Sequence, residues 1–260
     1  MADTNPTTEQ TGPRAGTTAV ITGGARGFGK AFGVALAGQG AHVVLVDLDA
    51  AEVDAAAASI RQTSAGATGY VGDVTDEARM ADIMAEVGGA HGGIDLLINN
   101  AGLHSDEYSR PIREMGLAKV RRLFDVNVLG VITCTLAAYP HMTGRAGANI
   151  VNIASAAAHL GGTAYGTSKL AVAGLTLTFA RELGPDGIRV NAISPGLILT
   201  DTIRAELPEA AKTRIKAMQF IDADGAEADI VDTMLFLTSD RARFITGETL
   251  RVTGGMAAGV

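Results

Sequence analysis

Cysteine and basic charge are both scarce in this sequence, and each shortage excludes a class of protein. Cys134 is the single cysteine among 260 residues, so the chain cannot form an internal disulfide and is expected in a reducing compartment. The formal net charge is −7 and the isoelectric point is about 5.2, with lysine and arginine scattered along the chain. We therefore predict no nucleic-acid partner and no anionic lipid partner, since both need a concentrated basic face.

Long apolar runs and paired metal ligands are also missing. No window approaches 18 consecutive apolar residues, and residues 1–5 lack the basic start and apolar core of a signal peptide, which predicts a cytoplasmic protein without a membrane segment. The five histidines show no spacing of three or four residues and have no cysteine nearby, so no metal site is predicted. Residues 1–16 are rich in Thr, Pro and Gly without periodicity and are interpreted as a mobile tail.

Short apolar runs alternate with helical periodicity along the rest of the chain. The predicted strands are 19–21, 42–47, 68–71, 94–98, 149–153, 188–193 and 248–252. The predicted helices begin near residue 30 and then cover about 50–62, 80–87, 118–141, 163–183 and 227–238, with a looser segment at about 199–225. Strands that are apolar along their whole length are buried on both faces. We therefore predict the α/β class, as one doubly wound Rossmann domain (residues 17–260) with a mainly parallel sheet of about seven strands and helices on both faces.

The most informative segment is a glycine-rich turn between the first predicted strand and the first predicted helix. Gly23, Gly27 and Gly29 form the pattern G-x-x-x-G-x-G, which differs from the G-x-G-x-x-G spacing of the usual dinucleotide fingerprint. Glycine lets the backbone turn sharply and approach a pyrophosphate, and the N-terminus of a helix offers free N–H groups. We predict a dinucleotide site there; a tight turn without a ligand is the alternative.

A second phosphate motif overlaps this turn. Gly24 to Gly29, followed by Lys30, satisfies the G-x-x-x-x-G-K part of a nucleoside-triphosphate loop. The next residue is Ala31, where that motif needs a serine or threonine hydroxyl to hold magnesium. Because alanine offers no oxygen, the triphosphate interpretation is disfavoured.

Asp47 ends the second predicted strand, eighteen residues after Gly29. In a dinucleotide fold this position holds the acid that binds a ribose 2′-hydroxyl. A carboxylate there would repel the 2′-phosphate of NADP, which favours NAD. Arg26, inside the glycine turn, could partner that phosphate and so favours NADP. An Asp at a strand end can also be a solvated residue with no ligand.

Tyr165 and Lys169 form a Tyr-x-x-x-Lys pair on a predicted helix, so that both side chains share one helix face. A phenol is a poor base at neutral pH, and lowering its pKa by about three units needs about 4 kcal/mol of preferential phenolate stabilisation. A nearby ammonium can supply much of this energy, and the positive nicotinamide of an oxidised cofactor can supply more. Taken alone, such a pair is most often an ordinary surface feature.

The order of these features resembles that of the short-chain dehydrogenase/reductase family, over the range from Thr17 to Gly255. The matching segments are Thr22-Gly23-x-x-x-Gly27-Phe28-Gly29 for the cofactor turn, Asp73-Val74 for the adenine contact, Asn99-Asn100-Ala101-Gly102 for the turn after the fourth strand, Asn127, Ser155, Tyr165 and Lys169 for the catalytic four, Pro195-Gly196 with Ile198 and Thr200 for the nicotinamide-contacting segment, and Phe244-Ile245-Thr246-Gly247-Glu248 for the C-terminal signature. Matches at so many positions in sequence are specific to that family.

The resemblance implies a role for each of four polar residues. Tyr165 would be the general acid/base at the reacting oxygen, and Lys169 would lower the pKa of Tyr165 and bind the nicotinamide ribose. Ser155 would hydrogen-bond the substrate oxygen, and Asn127 would hold a water that links Lys169 to solvent. A neighbouring backbone group could instead satisfy Asn127, since an unpaired buried amide costs about 1 to 3 kcal/mol. The implied cofactor-binding residues are Gly23, Arg26, Gly27, Phe28, Gly29, Asp47, Leu48, Asp73, Val74, Asn100, Ala101, Gly102, Tyr165, Lys169, Pro195, Gly196, Ile198 and Thr200.

Ser155 lies only ten residues before Tyr165, fewer than the family usually has between these positions. The strand that ends at Ser155 supports the assignment, and Thr163 is the alternative hydroxyl. We expect the short loop to reshape one wall of the substrate pocket. His104 and His159 are expected to border that pocket or to be exposed loop residues. An apolar substrate surface is predicted from leucines at the ends of elements near the crevice: Leu103, Leu160, Leu197 and Leu199.

These features together predict an NAD-dependent dehydrogenase that interconverts a secondary alcohol and a ketone on a mainly apolar small molecule, with Tyr165 as general acid/base. An NADP-dependent reductase of 3-oxoacyl thioesters, carried on acyl carrier protein, is the alternative within the enzyme class. A non-catalytic nucleotide-binding sensor or scaffold is the alternative of another class. The resemblance further implies a homotetramer assembled through the helices at 118–141 and 163–183.

Overall fold

A parallel sheet of seven strands forms the centre of the structure, a computed structural model that describes residues 12–64, 66–104, 106–200, 207 and 209–257. The strands are β1 (Thr18–Thr22), β2 (His42–Asp47), β3 (Ala67–Val71), β4 (Leu96–Asn99), β5 (Asn149–Ile153), β6 (Arg189–Pro195) and β7 (Thr249–Val252). Their order is β3-β2-β1-β4-β5-β6-β7, and every neighbouring pair is parallel. The predicted parallel sheet of about seven strands is confirmed.

Helices connect the strands. They are α1 (Gly27–Gly38), α2 (Ala50–Arg61), α3 (Glu77–His91), α4 (Ile112–Met115), α5 (Leu117–Phe124), α6 (Gly130–Met142), α7 (Ala157–Leu160), α8 (Ala164–Leu183), α9 (Glu209–Lys216) and α10 (Glu227–Leu237). The helix predicted at 118–141 is interrupted by a π-helical turn at Asp125–Leu129. The short helices α4 and α7, and α9 within the segment predicted to be looser, were not anticipated by periodicity.

The two faces of the sheet carry separate hydrophobic cores. Along β2, Val43 and Leu45 belong to one core, while Val44 and Val46 belong to the other, and all four are fully buried. Alternate residues of a strand point to opposite faces, so a strand covered on both sides must be apolar throughout. The first core packs α1, α2 and α10 against the sheet, and the second packs α3, α6 and α8. The predicted doubly wound architecture, with helices on both faces, is confirmed.

The strand order reverses between β1 and β4, which creates a crevice at their carboxyl ends. The strand β1 lies between β2 and β4. The helix α1, which leads from β1 to β2, and the helix α3, which leads to β4, pack on opposite faces of the sheet. Ligands of open α/β sheets bind at such a switch point. The glycine turn follows β1, Asp47 ends β2 and Asn99 ends β4, so the fold brings these three segments to one edge of the sheet.

Arg14 ties the start of the described chain to the base of the domain. Its guanidinium donates to the side-chain oxygen of Gln39 at 2.8 Å and to Thr238 Oγ1 at 2.6 Å. These partners lie just after the ends of α1 and α10, where a cation also complements the negative end of a helix dipole. The tail predicted for residues 1–16 therefore includes contacting residues from Arg14 onward, and residues 1–11 lie outside the described part of the chain.

One continuous helical stretch, Leu117–Met142, is long and apolar enough to cross a membrane by length and composition alone. The apolar side of this stretch contributes to the molecular interior, since Leu123, Cys134 and Ala138 are fully buried. Burial raises the pKa of the Cys134 thiol to about 12. That thiol behaves as a small core residue, in line with its packing in the second core.

Candidate active site

The glycine turn combines close packing with open space. Gly23 and Gly27 have positive φ angles of 61° and 50°, a region that favours glycine. A Cβ at Gly23 would lie 2.9 Å from the Cα of Ala101, and a Cβ at Gly29 would overlap the carbonyl oxygen of Gly23. A Cβ at Gly27 would meet nothing within 4 Å. The turn is thus tightly packed on one side and open where α1 begins, and the N–H groups of that first helical turn lack helical partners. This cradle fits a pyrophosphate.

Asn100 joins the glycine turn to the turn that follows β4. Its side-chain amide donates to the carbonyl oxygens of Thr22 at 3.1 Å and Gly23 at 2.8 Å. In return, the Thr22 hydroxyl accepts the backbone N–H groups of Asn100 and Ala101, both at 3.1 Å. The side chain of Asn100 therefore holds two site-forming turns together, a bracing role that sequence reasoning did not identify.

The Asp47 carboxylate lies against the glycine turn. One oxygen accepts the N–H of Ala25 at 3.0 Å, and the other accepts the N–H of Leu48 at 2.8 Å. Arg26 lies apart from this carboxylate, with its guanidinium 4.0 Å from Glu52 on the surface. The Leu48 side chain is largely exposed beside the cradle. The Asp47 carboxylate is therefore held against the glycine turn through the N–H of Ala25.

Asp73 and Val74 follow β3 and form the next part of the crevice. Partial burial acts to raise the pKa of Asp73, but hydrogen bonds from Thr75 and Arg122 outweigh it and hold the pKa below its usual value. The Thr75 N–H and hydroxyl donate at 2.9 and 2.7 Å, and the Arg122 guanidinium at 3.3 Å. Val74 is buried, and a Cβ at Gly130 would lie only 2.7 Å from its Cγ2. Val74 thus packs tightly on the start of α6.

Tyr165 and Lys169 lie one turn apart on α8, with the Lys169 Nζ 6.0 Å from the centroid of the Tyr165 ring. The Lys169 ammonium donates to the carbonyl of Ile153 at 2.7 Å. Burial lowers the pKa of Lys169 to about 8. Burial also raises the pKa of Tyr165, and the hydrogen bond with the Ser155 hydroxyl acts against that rise. The structure thus brings the predicted base, its cationic neighbour and the serine hydroxyl together.

The short helix α7 (Ala157–Leu160) forms most of the short connection between Ser155 and Tyr165. Ser155 Oγ accepts the N–H of Ala157 at 3.2 Å, at the start of α7. After α7, Gly161 and Gly162 turn the chain with positive φ angles of 69° and 93°. The Thr163 hydroxyl then caps α8 by accepting the Gly166 N–H at 3.0 Å. Thr163, the alternative hydroxyl, is engaged in this cap, whereas the Ser155 side chain is the one that acts to lower the pKa of Tyr165.

Asn127 is fully buried in the π-helical turn, where it links the β4 turn to α8. Its Oδ1 accepts the Leu103 N–H at 2.7 Å, and its Nδ2 donates to the Leu103 carbonyl and to Ser168 Oγ, both at 3.1 Å. A Cβ at Gly102 would lie 3.3 Å from both Asn127 Oδ1 and Lys169 Nζ. Neighbouring groups therefore satisfy the amide, which lies on the same side of Gly102 as the lysine. Single π-turns are frequent at functional sites.

The segment after β6 closes another side of the crevice. The Gly196 N–H donates to the Val252 carbonyl at 2.9 Å, and a Cβ at Gly196 would lie 2.7 Å from the Cα of Thr253. Ile198 is buried and pairs with Gly225 through an isolated bridge. Pro195 ends β6, and Thr200 is the last residue described before the gap at 201–206. The predicted nicotinamide segment thus lies at the carboxyl edge of the sheet.

A small apolar cluster packs against Tyr165. It consists of Tyr108, Met115, Leu123 and Ala164, with Leu103 and Val120 at its border. Leu103 was predicted for the apolar wall, whereas Tyr108 and Met115 were missed because they lie in a loop and a four-residue helix without periodicity. Within the part of the chain that the structure describes, no group of three or more His, Cys, Asp or Glu is placed to hold a metal ion.

This fold and this cluster define a doubly wound dinucleotide-binding protein with oxidoreductase chemistry at its switch point. A family model described as enoyl-(acyl carrier protein) reductase matches residues 23–257. An uncharacterized oxidoreductase of Mycobacterium tuberculosis is 40% identical, covering 91% of this chain and 96% of its own length. The chain belongs to the short-chain dehydrogenase/reductase family of oxidoreductases, whose members bind NAD or NADP.

Further relatives differ in the substrates that their names state. The (2S)-[(R)-hydroxy(phenyl)methyl]succinyl-CoA dehydrogenase subunit of Thauera aromatica is 38% identical over 91% of this chain and 95% of its own. A 3-oxoacyl-[acyl-carrier-protein] reductase of Staphylococcus aureus is 34% identical over 92% and 97%.

Solved structures agree with this assignment of the fold. A short-chain type dehydrogenase/reductase from Mycobacterium ulcerans has a TM-score of 0.88 at 29% identity, covering 94% of this chain and 90% of its own. A structure from Haemophilus influenza with bound NAD has a TM-score of 0.88 at 25% identity, covering 95% and 96%.

Proposed function

We propose that this protein is an NAD-dependent dehydrogenase that interconverts a secondary alcohol and a ketone on a mainly apolar small molecule. The observation that carries the proposal is the convergence of Tyr165, Ser155 and Lys169 beside the crevice. Removing hydride from an alcohol carbon requires a base for the hydroxyl proton and donors for the carbonyl oxygen that forms. These three side chains supply a base, a donor and a positive charge.

The bound nicotinamide would supply the hydride acceptor in the oxidative direction. Tyr165 would take the hydroxyl proton as a phenolate, and its neighbour Lys169 would stabilise that negative charge. The Ser155 hydroxyl would hold the substrate oxygen against the phenol. Asn127 would keep the lysine connected to solvent through a water, and its proximity to Lys169 at Gly102 supports this role.

The proposed cofactor site extends along the crevice from the glycine turn. Gly23, Gly27 and Gly29 would let the pyrophosphate approach the start of α1, and Arg26, Phe28, Leu48, Ala101 and Gly102 would border the same site. Asp73 and Val74 would contact the adenine, while Pro195, Gly196, Ile198 and Thr200 would contact the nicotinamide. Asp47 favours NAD, because its carboxylate beside Ala25 would repel a 2′-phosphate and can accept a ribose hydroxyl.

An NADP-dependent reductase of 3-oxoacyl thioesters is the second candidate. It is favoured by the 34% identity with the Staphylococcus aureus reductase and would use the same Tyr165, Ser155 and Lys169. The Asp47 carboxylate argues against it, since its charge opposes NADP. Initial rates with NAD and NADP separate the two candidates, and a strong preference for NADP would overturn the first.

The apolar cluster around Tyr165 supports the proposed substrate class. Tyr108 and Met115 are buried, and Leu103 is partly buried, beside the reacting phenol, so its surroundings are hydrophobic and burial of an apolar substrate against Leu103 would be favourable. A panel of secondary alcohols, assayed for NADH formation, tests the function directly. Measurable NAD binding without turnover of any alcohol would favour a non-catalytic sensor instead.

A homotetramer is the proposed assembly. Leu129, Leu136, Leu170 and Leu177 are each more than half exposed on the stretch Leu117–Met142 and on α8, which are the helices through which the family resemblance implies assembly. Gly174 lies on α8, and a Cβ at this position would meet nothing within 4 Å. The surface of α8 therefore has no side chain at Gly174. The buried single thiol of Cys134 supports placement of the protein in the reducing cytoplasm.

A further inference from the structure

His159, in the short helix α7, is connected to Ser155 through a buried hydroxyl of β6. The His159 Nε2 lies 3.1 Å from Ser194 Oγ, and Ser194 Oγ donates to the backbone carbonyl of Ser155 at 3.2 Å. Ser194 is fully buried, whereas the imidazole lies at the surface. The three residues form a chain of hydrogen bonds from the loop, through the sheet, to the residue that contacts Tyr165.

The direction of this chain follows from its protons. A serine hydroxyl has one proton, and that of Ser194 is given to the Ser155 carbonyl. The oxygen of Ser194 must then accept from His159, so the imidazole carries its proton on Nε2. Both the neutral form with this tautomer and the imidazolium can make the same donation.

The carbonyl of Ser155 accepts two hydrogen bonds, from the N–H of Ala158 at 3.0 Å and from the Ser194 hydroxyl at 3.2 Å, and it lies beyond the end of a neighbouring strand. The last pair between β4 and β5 is Asn99 with Asn152. The carbonyl of Ile153, just beyond this pair, accepts from Lys169 Nζ at 2.7 Å, and the carbonyl of Ser155 accepts from Ser194. Two side-chain donors thus hold the segment that carries the Ser155 hydroxyl.

We propose that His159 is a positioning residue that, through Ser194, fixes Ser155 at the distance that its hydroxyl needs to reach Tyr165. The inference rests on the proposed dehydrogenase function and adds a residue that acts without touching the substrate. It belongs to the shortened loop, because His159 lies four residues after Ser155, within α7 (Ala157–Leu160) and before α8. A shift of about 1 Å at a reacting group can lower a rate by as much as about 100-fold.

The surroundings of His159 are compatible with this donation. Burial, and to a lesser extent the positive charge of Arg251 on β7, hold the pKa of His159 below its usual value. The imidazole is therefore neutral at neutral pH, and the charged residue that acts on it across the sheet edge is Arg251. Since the Nε2 proton is present in both charge states, the link to Ser194 persists across this titration.

Substitutions at His159 test the proposal with a matched pair. Glutamine can place an amide N–H where the Nε2 proton lies, whereas asparagine is shorter and cannot. We expect His159→Ala and His159→Asn to lower kcat by about 10-fold or more, with KM for NAD unchanged, and His159→Gln to restore most of the rate. His91→Ala, at an exposed histidine that ends α3, is the control and should leave kcat unchanged.

A double-mutant cycle tests whether Ser194 is the connection. If both residues act through one chain, His159→Ala combined with Ser194→Ala should be no slower than Ser194→Ala alone. Independent, multiplying effects would overturn the proposed connection. Thermal unfolding of each variant shows whether it is folded. If the Ser194 variant does not fold, the rates of the His159 variants test the proposal, since the His159 side chain lies at the surface.

A measurement without turnover separates this proposal from the proposed function. Ionisation of Tyr165 can be followed by ultraviolet difference absorbance against Tyr165→Phe. Because the Ser155 hydrogen bond lowers the pKa of this phenol, His159→Ala should raise it and His159→Gln should not. An unchanged Tyr165 pKa in His159→Ala would overturn the positioning role. Wild-type protein that binds NAD but oxidises no alcohol would overturn the dehydrogenase function instead.

Discussion

Lys169 holds its ammonium 6.0 Å from the ring centroid of Tyr165 while donating to the Ile153 carbonyl at 2.7 Å. The strand β5 therefore fixes the lysine, and the helix α8 fixes its distance from the phenol. Burial lowers the pKa of the lysine and raises that of the tyrosine, so each neutral form is favoured until a charge appears on the other group. Formation of a phenolate at Tyr165 is thus coupled to the proton on Lys169.

Tyr165→Phe should abolish turnover, because it removes the proton acceptor and leaves the ring in place. We expect kcat to fall by at least about 100-fold while NAD affinity stays nearly unchanged. Steady-state rates with the best alcohol, together with NAD titration by fluorescence, check this. Tyr139→Phe is the control, since the Tyr139 hydroxyl donates to the Asp186 carboxylate at 2.9 Å on the surface. A variant of Tyr165 with near-wild-type kcat would contradict the mechanism.

Lys169→Met should change the pH dependence of stability. Burial lowers the pKa of Lys169 from 10.5 to about 8. Between these values the unfolded chain keeps a proton that the folded protein has released, so the free energy of unfolding rises with pH in this window. Relative to Lys169→Met, the wild type should gain about 3 kcal/mol across it. Urea unfolding at a series of pH values measures this, and a constant difference between the two proteins would refute it.

Asp47→Asn should shift cofactor preference toward NADP. The substitution keeps the size of the side chain and a hydrogen-bond acceptor for Ala25 but removes the charge that repels a 2′-phosphate. We expect the ratio of kcat/KM for NADP to that for NAD to rise by about 10-fold or more. Asp54→Asn, on the exposed side of α2, should leave the ratio unchanged. If Asp47→Asn and Asp54→Asn gave the same ratio of kcat/KM for NADP to that for NAD, Asp47 would not determine cofactor specificity.

Alanine at the glycine turn should separate packing from ligand approach. Gly29→Ala would drive a Cβ into the Gly23 carbonyl oxygen, so we expect a loss of several kcal/mol in the free energy of unfolding, on the order of an overpacked core. Gly27→Ala meets open space but keeps a φ of 50°, which costs about 1 to 2 kcal/mol and places a methyl in the pyrophosphate path.

The readouts for these glycine variants differ. Gly27→Ala should fold and bind NAD more weakly, measured by calorimetric titration, whereas Gly29→Ala should show its main defect in urea unfolding. Gly38→Ala, in the same helix with nothing within 4 Å of its Cβ, is the control. If Gly27→Ala binds NAD as tightly as the wild type, the open side of the turn is not the pyrophosphate site.

Leu136→Lys should weaken the proposed tetramer. Leu136 is 57% exposed on α6, and a buried unpaired ammonium at a subunit interface is costly. Size-exclusion chromatography with light scattering should show a smaller species than the wild type. Val34→Lys, at a 47% exposed apolar residue of α1, is the matched control. A tetramer that survives Leu136→Lys and Leu177→Lys together would place the interface elsewhere.

Sequence patterns predicted the strands of the sheet well, because the apolar pattern of each strand depends on which of its faces are buried. Residues 42–47 are apolar throughout, and the structure buries both faces of β2. The predicted boundaries were less accurate at exposed helix ends, where the apolar pattern gives no signal. The helix predicted at 80–87 covers Glu77–His91, with Asp76 as its N-cap. The helix predicted at 118–141 contains a π-turn at Asp125–Leu129. The π-turn adds a residue to one turn, a local change that the pattern of apolar positions did not reveal.

Local chemistry was determined by the sequence itself. Two features depend on residues only a few positions apart: the positive φ angles of the glycine turn, and the helix face that Tyr165 and Lys169 share. The spacing of residues in the sequence predicts such local features directly. The interaction of Ser155 with Tyr165, the bracing by Asn100 and the link from His159 to Ser194 are visible only in the tertiary structure. Asn100 reaches the carbonyl of Gly23 across 77 positions, and His159 reaches Ser194 across 35. Such contacts depend on which strands become neighbours in the sheet, and strand order is a property of the whole packed chain.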